Sequence, residues 1–180
     1  MKKFLKLFVL GLAALVIGAG LLVAQDPVVG SSDPESLFTS KDPKLNTNKQ
    51  AAMHIMRDLL EAGHWDQAPN WLTEKYIQHN PCCANGRQTV MTFFGGRGTP
   101  RPIPNKNNWA TKVVSVVAEG DYVIVHGRFS NTGRPRNWIA ADVVRVADDV
   151  LAEHWDVLQD EATEAESQSG LPMFGTKFLG

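Results

Sequence analysis

Asp142, His154 and Asp156 lie in a stretch that alternates residue by residue, IAADVVRVADDVLAEHWDVLQ over residues 139–159. Alternation broken once, at Asp148-Asp149, is the pattern of two antiparallel strands joined by a tight turn. Side chains two apart share a strand face. One face of the first strand therefore carries Trp138, Ala140, Asp142 and Val144, and one face of the second carries His154, Asp156 and Leu158. Their other faces carry Ile139, Val143, Trp155 and Val157. The strand before them sorts in the same way into Ile124, His126 and Arg128 against Val123, Val125 and Phe129. The polar sides of all three strands form one wall of the expected cavity. Carboxylates and imidazoles are costly to bury among apolar neighbours unless they are paired or used. The chemistry such a set supports is proton transfer, because desolvation raises a carboxyl pKa toward neutrality and an imidazole titrates nearby.

Structural readings stand beside the chemical one. Asp142 can pair with Arg128 or His126 as a buried contact, and His154 can be a satisfied polar group of the core. Trp138 shares its face with Asp142 and offers a surface on which a flat ligand can stack. Three His and two Asp can also ligate a metal, but they sit on separate strands with no ligand-spaced motif, so neither a metal nor another cofactor is expected. His54 and His64 belong to the helical region and read as surface or packing residues.

The elements that position these groups follow from the rest of the chain. Its 180 residues suit one domain with a real core plus short extras. A net charge of -1 without runs of Lys or Arg in the body excludes a phosphate-backbone partner, so nucleic acid is not expected. Residues 1–24 place Lys2, Lys3 and Lys6 ahead of an apolar run, the pattern of a signal peptide; an uncleaved membrane anchor is the alternative. The product would be periplasmic or secreted. Residues 25–46, rich in Ser, Asp and Pro, read as an exposed linker.

The domain is expected over residues 47–160. Thr47 and Gln50 have capping-box spacing and open a helix that Gly63 ends. A short helix fits residues 66–73, an extended piece residues 76–80, and a third helix starts after Asn85-Gly86. Residues 98–108 are a loop, and four strands in a meander follow, with a turn at residues 131–133. Residues 161–180 form a tail, acidic and loose at its start. Cys82 and Cys83 are the only cysteines; neighbours make a strained disulfide, and the pair reads as two small side chains in a loop. Helices followed by strands give an α+β fold in which helices cover one face of a curved antiparallel sheet.

The strings YIQHNP at residues 76–81, EGDYVIVHG at residues 119–127 and AEHWDVLQ at residues 152–159 resemble, in order and spacing, the SnoaL-like cyclases of the nuclear transport factor 2-like superfamily. The resemblance covers residues 48–159. It implies a cone-shaped α+β barrel, its three N-terminal helices over a curved antiparallel sheet, around a mostly apolar pocket for a small hydrophobic ligand. It also implies cofactor-free acid/base chemistry, as an aldol-type cyclase, isomerase or hydrolase acting on a carbonyl compound. The working aspartate of such enzymes falls on Asp156, and the pocket residue of the short extended piece falls on His79 or Asn80. Asp156, His79 and His126 are thereby the expected catalytic groups, with Tyr76, Asn80, Trp138, Asp142 and His154 around the substrate. Steroid isomerases carry an aspartate before the proline, where this chain has Asn80 before Pro81. The usual Asp-Gly hairpin is also altered, to Asp148-Asp149. The rival reading is a noncatalytic binding or carrier protein for an apolar ligand. Relatives often pair through the back of the sheet, so a homodimer is expected through Val123, Val125, Phe129, Val143, Trp155 and Val157, unless residues 171–174 fold back over that face.

Overall fold

A computed structural model of the chain describes residues 26–96, 98–130 and 133–179. The expected signal segment and two residues of the expected turn at 131–133 lie outside them. No helix among the described residues is long and apolar enough to cross a membrane.

A four-residue helix, α1 (Pro34–Leu37), precedes the principal helix α2 (Pro43–His54). Asp42 caps α2 by accepting the Leu45 N–H at 3.0 Å, and Pro43 suits the first turn, where an N–H would have no partner. The helix thus starts four residues before Thr47. Its buried side, Asn48, Ala51, Ala52 and Met53, continues through a π-helical segment, Ile55–Glu61, that buries Ile55, Met56 and Leu59. Within that segment Asp58 is buried but paired, with Arg57 at 2.6 Å and His54 at 2.7 Å. The stretch expected to be a linker is part of the packed body: Phe38 is fully buried and its ring lies 5.9 Å from that of Trp109. Burying a side chain of that size is worth about 1.5–3 kcal/mol, which a solvated linker would forgo.

A 3-10 helix, Trp65–Asn70, leads into strand β1 (Leu72–Gln78), and α3 (Arg87–Gly95) follows it. The meander is β2 (Lys112–Glu119), β3 (Tyr122–Phe129), β4 (Trp138–Ala147) and β5 (Val150–Asp160). The expected extended piece is therefore a fifth strand. It pairs parallel with β5, giving the order β1-β5-β4-β3-β2 in a curved, unclosed sheet. Asp148 and Asp149 both take left-handed backbone angles, φ 51° and 65°, the conformation of the two-residue hairpin turn whose twist matches its strands.

Two register shifts decide which side chains face inward. On β5 the pairing passes from Val146↔Leu151 to Arg145↔Glu153, leaving Ala152 as an extra residue. On β2 it passes from Val113↔Gly127 to Ser115↔His126. A Cβ on Gly127 would lie 2.9 Å from the Lys112 carbonyl oxygen, so this crossing needs glycine.

The core lies between α2 with its π-helical extension and the inner face of the sheet, with Val113, Val116, Val123, Val125, Val144, Val146 and Leu151 all buried. Val123 and Val125 pair with Val144 and Asp142, and so share their face. This corrects the expected sorting: Val123, Val125 and Phe129 point inward, and the outer face carries Tyr122, Ile124, His126, Val143, Trp155 and Val157. The tail is anchored. Buried Glu161 accepts from Arg128 at 2.9 Å and Asn137 at 2.8 Å, and the Gly175 N–H donates to the Val28 carbonyl at 2.7 Å. Phe174 packs under Arg128 at the end of β3, leaving Val117, Ile124 and Val157 exposed.

Candidate active site

The shift at Ala152 sets Asp156 on β5 directly opposite Asp142 on β4, and His154 opposite Val144. Asp142, His154 and Asp156 thereby meet on the inner face, with a ligand atom of each within 4.8 Å of the others. That set offers two oxygens and one nitrogen to a cation, and equally a short path for a proton.

Strand β1 and the loop after it supply the partners. Tyr76, Gln78 and Asn80 stand two apart, and Gln78 is the strand partner of His154. The Gln78 Oε1 lies 2.7 Å from the His154 Nδ1 and also accepts the Asn80 backbone N–H at 3.1 Å. A backbone N–H can only donate, so this end of the Gln78 amide is oxygen and His154 Nδ1 must carry a hydrogen. The same logic fixes Asn80, whose Oδ1 accepts the Cys82 N–H at 2.8 Å. Its Nδ2 therefore donates to the Asp156 carboxylate, at 2.5 Å. Both amides are oriented by the loop backbone rather than by the groups they serve.

His154 Nε2 faces Asp142 Oδ1 at 3.2 Å. With Nδ1–H committed to Gln78, the imidazole and the carboxyl share the one remaining hydrogen. Asp142 is 8 % exposed, and its Oδ2 has no hydrogen-bond partner among the described residues. Burial pushes the Asp142 carboxyl up, the Asp156 charge adds to this, and the bond to His154 opposes it. Tyr76, 4 % exposed, lies close by; burial above all, with the charges of Cys83 and Asp142, pushes its phenol up, so it stays a neutral donor.

The other expected site residues fall elsewhere. His126 pairs with Ala141 and Ser115 on the outer face, separated by the sheet from Asp142. His79 stacks on Trp155, ring centroids 4.6 Å apart, and lies 2.8 Å from Glu153, which also accepts from Arg145. It too belongs to the outer side of the sheet. Trp138 is four residues along β4 from Asp142, about 13 Å at strand spacing. Its Nε1 donates to Asp160 at 3.0 Å and Arg134 covers its ring at 5.1 Å, so the expected stacking surface is occupied. Gln78 joins the candidate site through His154 without having been expected from the sequence; counting by twos from Tyr76 reaches it.

The loop from His79 to Gly86 is tied to the Asp156 carboxylate through Asn80. A hollow of about 470 Å³ is lined by Cys82 and Cys83 of this loop and by Gln88, Thr89, Thr92 and Phe93 of α3.

A family model described as a SnoaL-like domain matches residues 54–154. Among solved structures, the chain is similar to a protein from Kribbella flavida provisionally assigned as a ketosteroid isomerase, at 16 % identity and TM-score 0.52, covering 72 % of this chain and 96 % of that one. It is similar to a provisionally assigned SnoaL-like polyketide cyclase from Jannaschia sp. CCS1, at 18 % identity and TM-score 0.51, covering 67 % and 91 %. An NTF-2 like protein of unknown function from Burkholderia xenovorans LB400 matches at 15 % identity and TM-score 0.50, over 70 % and 94 %. At these identities the structures speak to the fold alone. A search of curated proteins gives no match.

Proposed function

The chain belongs to the SnoaL-like family, and from that premise we propose that it is an acid/base enzyme that removes a proton next to the carbonyl of a small hydrophobic compound. The observation that carries the reading is the buried Asp142, with one oxygen on His154 and the other without a partner, opposite an Asp156 held by an amide donor. A carboxyl whose burial favours its protonated form, opposite a second carboxyl held by an amide donor, supplies the two halves of an enolisation site.

In the proposed step Asp156 takes the proton from carbon, the C–H electron pair becomes the C=C bond of the enol, and the C=O π pair moves to the oxygen. The hydrogen shared by Asp142 and His154 is donated to that oxygen, and Gln78 keeps the imidazole in register throughout. Tyr76 lies beside these groups as a second donor, while buried Val125 and Val144 line the apolar side of the same face. His79 and His126 take no part.

The test is incubation with a panel of hydrophobic ketones in D2O, followed by mass spectrometry of the recovered compounds. Deuterium next to the carbonyl, lost in Asp156→Asn, supports the reading. Ketones bound and recovered without deuterium from every experiment would instead make the protein a carrier of apolar ligands. We also propose that residues 1–24 direct export, on the strength of Lys2, Lys3 and Lys6 before the apolar run. Sequencing the N-terminus of the mature protein, expected near Gln25, tests this; a full-length chain that stays with membranes would show an anchor.

A further inference from the structure

We infer that Cys82 and Cys83 form a redox-modification site, oxidised by low-molecular-weight disulfides, that controls the latch of the His79-to-Gly86 loop on the Asp156 carboxylate. The two Sγ atoms stand 3.2 Å apart. They line an open hollow large enough to admit a small disulfide. One thiolate attacks a sulfur of the incoming disulfide and expels one thiol. The neighbouring thiol, giving its proton to solvent, then attacks the mixed disulfide and expels the second. The protein gives up two electrons and two protons, and the oxidant leaves as two thiols.

The consequence for the loop follows from what each cysteine is tied to. A disulfide needs a sulfur separation of about 2.05 Å, so the pair must close by roughly 1.2 Å. Cys83 is packed against the core, whereas Cys82 is exposed, so Cys82 does the moving. Its backbone N–H is the donor that holds Asn80 Oδ1 at 2.8 Å. Asn80 in turn holds Asp156 through its Nδ2 and Gln78 through its backbone N–H, and Gln78 holds His154. One continuous hydrogen-bonded chain thus runs from the dithiol to the acid/base groups. Closing the sulfurs draws its first link away and releases Asn80 from Asp156. The strain of joining adjacent cysteines makes the couple readily reducible, as a reversible modification requires.

The inference rests on the acid/base reading only for what the latch holds; the thiol chemistry stands apart from turnover. The experiment equilibrates the full chain in glutathione buffers of graded redox ratio. It reads the tryptic peptide of residues 76–87, which contains both cysteines, for loss of two hydrogens and of alkylation. Hydrogen exchange over residues 78–85 is followed in parallel. Oxidation should speed exchange there by about tenfold, the effect of losing one or two hydrogen bonds. Cys82→Ser should not respond. Asn80→Ala should still oxidise, but its loop should exchange quickly before and after. A glutathione adduct without the internal disulfide, a disulfide between chains, or an internal disulfide that leaves exchange unchanged would each overturn the inference.

Discussion

Replacing Asp142 by Asn should make the protein more stable at neutral pH while abolishing its chemistry. Asp142 is 92 % buried by its 8 % exposure, and Oδ2 has no partner. An unsatisfied buried polar atom costs about 1–3 kcal/mol, and more when charged. The Asn amide keeps the shape and can donate to the His154 Nε2 that Gln78 leaves as acceptor; its oxygen inherits the unpartnered position, so the gain comes from removing the buried charge. A gain of about 1–3 kcal/mol corresponds to roughly 2–10 °C in Tm for a domain of this size. The pH dependence has a definite sign. Because the folded carboxyl is raised above its ordinary value of 3.8, the native state binds more protons than the unfolded one in the window above that value. Wild-type stability should therefore fall as pH climbs through that window, and the variant should lose this slope. Urea unfolding followed by tryptophan fluorescence between pH 4 and 8 measures both, and proton exchange of a bound ketone measures the lost chemistry. A variant less stable than wild type at pH 7 would refute the reasoning, since it would mean that Asp142 serves as the ionised partner of a cationic His154.

Asp156→Asn should lower turnover by about two orders of magnitude or more with binding retained, whereas His126→Ala and His79→Gln should stay within about threefold of wild type in the ketone exchange assay. Asp149→Gly should raise stability by about 0.5–1 kcal/mol, read from urea midpoints, because glycine takes the φ of 65° without strain. The outer face leaves Val117 58 %, Ile124 40 % and Val157 71 % exposed, and we propose that a second copy covers it. Sedimentation should then show a dimer that Val157→Glu dissociates; a monomeric wild type at micromolar concentration would end that proposal.

The elements of the fold were legible because their signals are local. Alternation marked β3, β4 and β5, Gly63 ended the helical run, and Asn85-Gly86 announced α3. The beginning of α2 was not, because Asp42-Pro43 competed with an equally good capping pattern at Thr47. Asp142, His154 and Asp156 were legible as chemistry, but their meeting was not. A two-residue turn at Asp148-Asp149 with unbroken pairing would set Asp142 opposite Trp155, and only the extra residue Ala152 brings Asp156 there. Placing His126 needed the register of β3 on β4, which parity within one strand cannot supply. His79 was different: counting by twos from Tyr76 already assigns it to the other face from Gln78 and Asn80.

The parallel pairing of β1 with β5 also sets an order of events during folding. The turns between β2 and β3 and between β4 and β5 are short, and their ladders close without long chain loops. The Gln78↔His154 contact instead spans 76 residues and must wait for the meander and for α3. Until β1 arrives, Gln78 and Asn80 are missing from beside His154 and Asp156. The two amides that hold the neighbours of Asp142 therefore depend on the longest-range pairing of the site. A chain stalled before that step would display the same three side chains without the two amides, and only the completed molecule would hold His154 and Asp156 in place beside Asp142.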